Sequence, residues 1–314
     1  MSRKDLKIVF MGTPDFALPV LNALYDNYDV ILVITKPDAP KGRGKQMAES
    51  PIKMRAKELG IPVMTPEKVK TAEFTETLSK YPADFFVTCA YGKILPQSVL
   101  DLPKFGCINV HASLLPKYRG AAPLWRMVMN GEREGGVTTM FTDAGMDTGD
   151  MLLAEKIEIG ENMTTGDVHD ALSVIGGDII IKTIDGLMEG TVERIPQNDE
   201  EATYAPTVDR EDGRIDWTKS SWEIHNIVRG CNPFPGAFGI LNGEKIKIWR
   251  TELAFEKRGG LPGEIVSADK YGIKVVCGNG VIRITELQTE GSKRMDAASF
   301  LNGHKISGVF DIEK

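Results

Sequence analysis

Cysteine is scarce in this chain, and its four copies sit apart. Cys89, Cys107, Cys231 and Cys277 form no Cys-x-x-Cys pair and have no histidine at ligand spacing. That pattern excludes a disulfide framework and a zinc ribbon. Cys89 and Cys107 lie inside apolar runs and read as reduced core residues. Long hydrophobic runs are missing as well. The apolar stretch in MSRKDLKIVFMGTPDF ends at Gly12, too early for a signal-peptide core or a membrane span. A cytoplasmic protein is therefore expected. Glycine is missing where a dinucleotide would need it, because the first strand runs into GTPDFA rather than Gly-x-Gly-x-x-Gly. GRGK at 42–45 lacks the long glycine spacing of a phosphate loop, so NAD and ATP chemistry are set aside. No serine or cysteine occupies a nucleophile elbow. There is no internal repeat and no low-complexity tract.

What is present describes an ordinary globular chain. Of 314 residues, 42% are hydrophobic and 26% charged, which favours two domains. The net charge of −6 is uneven. Residues 1–209 hold 22 basic against 30 acidic side chains, whereas residues 210–314 hold 16 against 14. A mildly basic C-terminal third on an acidic protein fits contact with a polyanion, although scattered charge fits it too.

Short apolar runs alternate with helical patterns over residues 1–189. LKIVFMG, VILVIT, ADFFVTCAYG, INVHAS, GVTTMF and GDMLLAEKIEI read as strands. Thr13-Pro14-Asp15 reads as a helix cap, Ser50-Pro51 as a helix start, and TTGDVHDALSVIGGDIIIKTIDGLMEG as one long helix. Nearly all-apolar strands separated by helices predict a Rossmann-like, doubly wound parallel sheet, with ligands at the carboxyl ends of the strands. KPDAPKGRGKQMAES reads as a polar loop and residues 190–209 as a linker. Residues 210–314 then switch to hairpins, with Asn-Gly and Gly-Asn-Gly at turns, and predict an OB-like β-barrel of about five strands.

The stretch CINVHASLLPKYRGAAP carries the first chemistry. Asn109 and His111 are two residues apart, so a strand turns both to one face, roughly 7 Å apart. TDAGMDTGD follows the next strand, and a neighbouring parallel strand can bring its Asp147 beside His111. An amide donor, an imidazole and a carboxylate together suit direct acyl transfer without a covalent acyl-enzyme. On spacing alone, His111 also fits a satisfied core histidine, Ser-Leu-Leu-Pro a plain loop, and Asp147 a turn residue.

Asn-x-His-x-Ser-Leu-Leu-Pro followed by Asp-Thr-Gly-Asp resembles the signature of the folate-dependent formyltransferases. IVFMGTPDFALPVL, KPDAPKGRGK, AYGKILP, INVHASLLPKYRGAAP, GMDTGDML, RIDW and NPFPGAF extend the likeness over nearly the whole chain. They point to members whose acceptor is methionine esterified to initiator tRNA. The resemblance implies 10-formyltetrahydrofolate as formyl donor, no metal, and Asn109, His111 and Asp147 as catalytic residues. It implies folate contacts at Ser113, Leu114, Leu115, Pro116, Tyr91, Gly92 and Ile94. It also implies a loop carrying Lys36, Lys41, Arg43 and Lys45 that meets the tRNA acceptor end, with Arg43 as the key contact.

The barrel would hold the acceptor stem through spaced basic residues, Lys245 and Lys247 first. Trp217 and Trp249 could stack on bases, but core packing is the expectation for both. Arg119 is left between an RNA contact and a brace for its turn. A monomer is expected. The rivals are a formyltransferase acting on glycinamide ribonucleotide or a nucleotide-linked amino sugar, a folate hydrolase, and a non-catalytic tRNA-binding protein.

Overall fold

The computed structural model describes residues 3–41, 46–254, 256 and 259–312. It divides into two compact units. One comprises Met1–Pro123, Glu134–Ile157 and His169–Ala205; the other comprises Leu124–Arg133, Glu158–Val168 and Pro206–Lys314.

In the first unit the apolar runs become β1 (Lys7–Gly12), β2 (Asp29–Ile34), β5 (Val63–Met64), β6 (Phe85–Cys89), β7 (Cys107–His111), β8 (Glu134–Phe141) and β9 (Met151–Glu158). They form one sheet in the order β5-β2-β1-β6-β7-β8-β9. The helices are α1 (Leu18–Asn27), α2 (Pro51–Glu58), α3 (Ala72–Ser79), α4 (Gln97–Leu100), α5 (Pro123–Met129) and α6 (Thr165–Glu189), the last two shared in part with the second unit. β1 and β6 are buried at nearly every position, as strands covered on both faces must be.

The sheet departs from the all-parallel expectation at one place. β5, β2, β1, β6 and β7 run parallel, but β8 pairs with β7 antiparallel, Ile108 opposite Phe141 and His111 opposite Thr138. An apolar run carries no direction, so the mixed sheet was not readable from its residues. Two local readings also change. The polar loop after β2 contains a small hairpin, β3 (Ala39–Lys41) against β4 (Gln46–Ala48). Thr13 does not cap a helix: its hydroxyl donates to the Tyr91 carbonyl at 3.3 Å, and a short 3-10 turn over Asp15–Ala17 precedes α1.

The aperiodic stretch after α6 is bonded into the first unit. Met151 and Ile195 exchange backbone hydrogen bonds of 2.8 and 2.9 Å. Arg119 N donates to Thr203 O at 2.8 Å, and Ala205 N donates to Arg119 O at 2.7 Å.

The second unit holds α7 (Ser221–Gly230), β10 (Ala237–Leu241), β11 (Glu244–Ala254), β12 (Ile265–Asp269), β13 (Gly272–Cys277), β14 (Gly280–Thr289), β15 (Met295–Asp296) and α8 (Ala297–Gly303). Its antiparallel sheet runs β10-β11-β14-β13-β12, with β15 on β14. Residues 308–311 bond to both edges: Ile265 N donates to Gly308 O, Phe310 N to Gly263 O, and Asp311 N to Ile240 O, each at 2.8–2.9 Å. The tail thus joins the β10 edge to the β12 edge, which leaves the barrel without a free edge there. Trp217 is fully buried and stacks on Phe310 at 4.8 Å, as a core residue should.

Candidate active site

Asn109 and His111 occupy alternate positions of β7 and share a face, while Val110 between them is buried on the other. β6 supplies the neighbour. Thr88 is paired in register with Asn109, and its hydroxyl donates to Asn109 Oδ1 at 2.8 Å. That bond turns the carboxamide so that its NH2, and not its oxygen, faces the Asp147 side. In the sequence Thr88 shows only as a polar interruption of FFVTCA, a signal too small to mark it as a site residue.

His111 is 6% exposed, and its Nε2 lies 3.0 Å from the Tyr118 carbonyl oxygen. A carbonyl only accepts, so the imidazole proton belongs on Nε2. Nδ1 is left facing Asp147 Oδ2 at 3.7 Å, a lone pair when the ring is neutral and a donor when it is charged.

Asp147 arrives by a route that the strand pattern did not suggest. Because β8 is antiparallel, the loop after it starts beside the amino end of β7, where Thr142 N donates to Cys107 O at 2.8 Å. The loop then doubles back over the sheet face. Asp143 closes its first half by accepting from Gly145 N at 3.0 Å and from the Thr148 hydroxyl at 2.8 and 2.9 Å. Gly149 lets the chain press on the end of β8, since a Cβ there would overlap the Phe141 carbonyl oxygen. Asp147 itself has φ +53°, the left-handed region. Its Oδ2 accepts from Gly120 N at 2.8 Å, and its Oδ1 sits 3.5 Å from Asn109 Nδ2. The Thr-Gly after Asp147 is therefore loop architecture, and the carboxylate ends beside both β7 groups.

Ser113, Leu114, Leu115 and Pro116 form a turn that consumes most of its own polar groups. Ser113 is fully buried and its hydroxyl donates to Lys117 O at 2.6 Å. Leu115 N donates to Thr138 Oγ1 at 3.1 Å, and that hydroxyl donates to Ser113 O at 2.7 Å. Leu115 is buried, and Leu114 and Pro116 are half-buried.

Of the AYGKIL residues, Ile94 is 51% exposed and Gly92 is exposed, but the Tyr91 ring is buried in the core. Burial pushes the Tyr91 phenol up to about 12. Any contact from Tyr91 to a ligand would come from its backbone, because its side chain is taken up in packing. Lys36 is half-buried with its amine against Gly92, where a Cβ would collide with Nζ. Only the backbone of Lys41 is described, at the end of β3, and Arg43 and Lys45 lie outside the described residues.

Arg119 is 2% exposed, which removes it as an RNA contact. Its guanidinium donates from Nε to Gln197 Oε1 at 2.9 Å and from Nη2 to Asp199 Oδ1 at 2.8 Å.

In the second unit, Lys245 and Lys247 lie on β11. Lys245 Nζ sits 3.3 Å above the Phe238 ring centroid. Burial, with Lys247, Arg210 and Arg214 nearby, holds its ammonium below the ordinary lysine pKa against the pull of Glu211. Trp249 is only half-buried, between the Lys247 ammonium at 5.2 Å and the Arg294 guanidinium at 5.3 Å. It therefore belongs to a basic, aromatic surface rather than to the core, contrary to the expectation for it. Among the described residues no His, Cys, Asp and Glu cluster is arranged to hold a metal ion, and no helix is long and apolar enough to cross a membrane.

An amide donor and an imidazole on one face of β7, with a loop carboxylate beside them, have the chemistry that acyl transfer can use. Residues 6–184 match the family model "Formyl transferase", and residues 207–305 match "Formyl transferase, C-terminal domain". The chain belongs to the formyltransferase family. It is 50% identical over 303 residues to a methionyl-tRNA formyltransferase of Acetivibrio thermocellus, covering 96% of this chain and 97% of that one. It is 49% identical to the methionyl-tRNA formyltransferase of Ruminiclostridium cellulolyticum over the same shares. Among solved structures, the sugar 3N-formyl transferase WlaRD, crystallised with dTDP and 5-N-formyl-THF, shares the fold with a TM-score of 0.67 at 22% identity. That match covers 92% of this chain and 99% of that one.

Proposed function

We propose that the chain transfers the formyl group of 10-formyltetrahydrofolate to the α-amino group of methionyl-initiator-tRNA. The observation that carries the chemistry is the convergence of Asn109, His111 and Asp147 on one face of β7. The methionyl-tRNA formyltransferases that resemble it over nearly their whole length support the acceptor. The amine attacks the formyl carbon, and a tetrahedral intermediate forms. Asn109 Nδ2 donates to the developing oxyanion. His111 takes the amine proton at Nδ1 and returns it to N10 of the departing tetrahydrofolate as the C–N10 bond breaks. Asp147 stabilises the imidazolium between those two steps.

Residues 1–189, with the stretch to Ala205, carry the chemistry, and the barrel of residues 210–314 carries tRNA binding. The folate pocket is walled by residues 113–116 and by the Gly92 and Ile94 turn. The enzyme is a cytoplasmic monomer. The acceptor is tested by offering charged initiator tRNA, charged elongator methionyl-tRNA and glycinamide ribonucleotide with 10-formyltetrahydrofolate. Formyl on initiator methionyl-tRNA is expected, and transfer only to the small amine would overturn this reading.

The basic surface has its own expected result. Lys245→Ala with Lys247→Ala weakens tRNA binding evenly across sequences. It flattens the slope of log Kd against log salt by about 1.5, at roughly 0.7–0.9 per phosphate neutralised. An unchanged slope in a filter-binding salt titration would move the contact elsewhere.

A further inference from the structure

Gln197 lies in the stretch that has no sequence period, and it is half-buried among exposed neighbours. Its carboxamide nitrogen donates to two carbonyls of the Asp147 loop, Asp147 O at 2.8 Å and Gly149 O at 2.7 Å. Its oxygen accepts from Arg119 Nε at 2.9 Å. Arginine only donates, so the group facing it must be Oε1, and the NH2 is thereby aimed at the loop. Arg119 is itself held: its side chain is buried, its Nη2 reaches Asp199, and its backbone exchanges bonds with Thr203 and Ala205. The residue after it, Gly120, donates to the Asp147 carboxylate. One short segment thus fixes Asp147 twice, by its side chain through Gly120 and by its backbone through Arg119 and Gln197. Asp147 lies in the left-handed region, φ +53°, a backbone conformation that non-glycine residues keep where their surroundings hold it.

We propose that Gln197 is a positioning residue for formyl transfer. With Arg119 behind it, Gln197 holds Asp147 in its left-handed conformation, with the carboxylate facing His111 and Asn109. The proposal rests on Asp147 being catalytic.

The test is steady-state transfer by the full-length enzyme with saturating 10-formyltetrahydrofolate and methionyl-tRNA. Gln197→Glu keeps the side-chain length and the acceptor for Arg119 but sets a carboxylate oxygen against two carbonyls. Gln197→Met removes all three bonds. For both, kcat is expected to fall by roughly 100-fold, the scale of a 1 Å misplacement, with KM for either substrate changed by less than about threefold. In an Asp147→Asn background Gln197→Glu is expected to add nothing, since there is no carboxylate left to place.

Activity is expressed per folded molecule, the folded fraction being read by near-ultraviolet circular dichroism, so that a loss of stability is not counted as a loss of turnover. A kcat within about twofold of the parent, a change confined to KM, or a full further loss in the Asp147→Asn background would each overturn the proposal. Asp147→Asn inactive with Gln197→Glu fully active removes the role of Gln197 alone. Asp147→Asn as active as the parent removes the catalytic reading of Asp147, and the role of Gln197 with it.

Discussion

An Asp147→Asn enzyme is expected to lose about three orders of magnitude in kcat while tetrahydrofolate still binds. The substitution is isosteric, and an amide oxygen can still accept from Gly120 N, so the loop keeps its shape. What disappears is the negative charge 3.7 Å from His111 Nδ1. Two opposite unit charges at about 4 Å in a partly buried site attract by roughly 4 kcal/mol, and about 1.4 kcal/mol is a factor of ten in rate. The attraction exists only after His111 has taken the amine proton, so its loss falls on the chemical step and not on binding. Single-turnover transfer rates with equilibrium tetrahydrofolate binding measure the two effects separately. A loss below tenfold in the single-turnover rate would mean that the imidazolium is never a full intermediate charge.

Asn109→Ala is expected to cost about 100- to 1,000-fold in kcat, the range for removing one oxyanion donor. The amide is preorganised: Thr88 holds its oxygen, so Nδ2 waits for the developing charge without having to rotate. Its contact to Asp147 Oδ1 is long, at 3.5 Å, and an entering oxyanion can displace it at small cost. Truncation leaves the sheet intact, because Asn109 is half-buried and its neighbours Ile108 and Val110 carry the packing. Rapid-quench measurement of formyl transfer, beside an unfolding midpoint, separates this from misfolding. Near-parental turnover would transfer the oxyanion role to another donor, with His111 the first to examine.

The two expectations differ in how they arise. Asn109 and His111 were legible as a pair because side chains alternate along a strand, and nothing remote is needed to put them on one face. Asp147 was legible only as a residue type in a suggestive loop. The route expected for it, from a neighbouring parallel strand, was wrong, since β8 is antiparallel and the loop folds back from the other end. Alternation and apolarity are the same for either strand direction, so no local pattern distinguishes them. Trp249 departs from the core expectation for a related reason: β11 alternates, and which of its side chains are covered depends on what is packed against each face.

Gln197 marks the far end of that scale. Polar stretches without a period read as connectors because they offer no face to bury. Their contribution here is made by hydrogen bonds to residues about 50 and 78 positions away. Strand and helix identity, the polar pair on β7 and the basic balance of the last third follow from local composition and periodicity. Strand direction, the return of the Asp147 loop, the closing of the barrel by residues 308–311 and the grip of Arg119 and Gln197 on Asp147 do not. They are settled by which distant segments pack together, and a hydrogen bond between distant residues leaves no periodic mark in the chain.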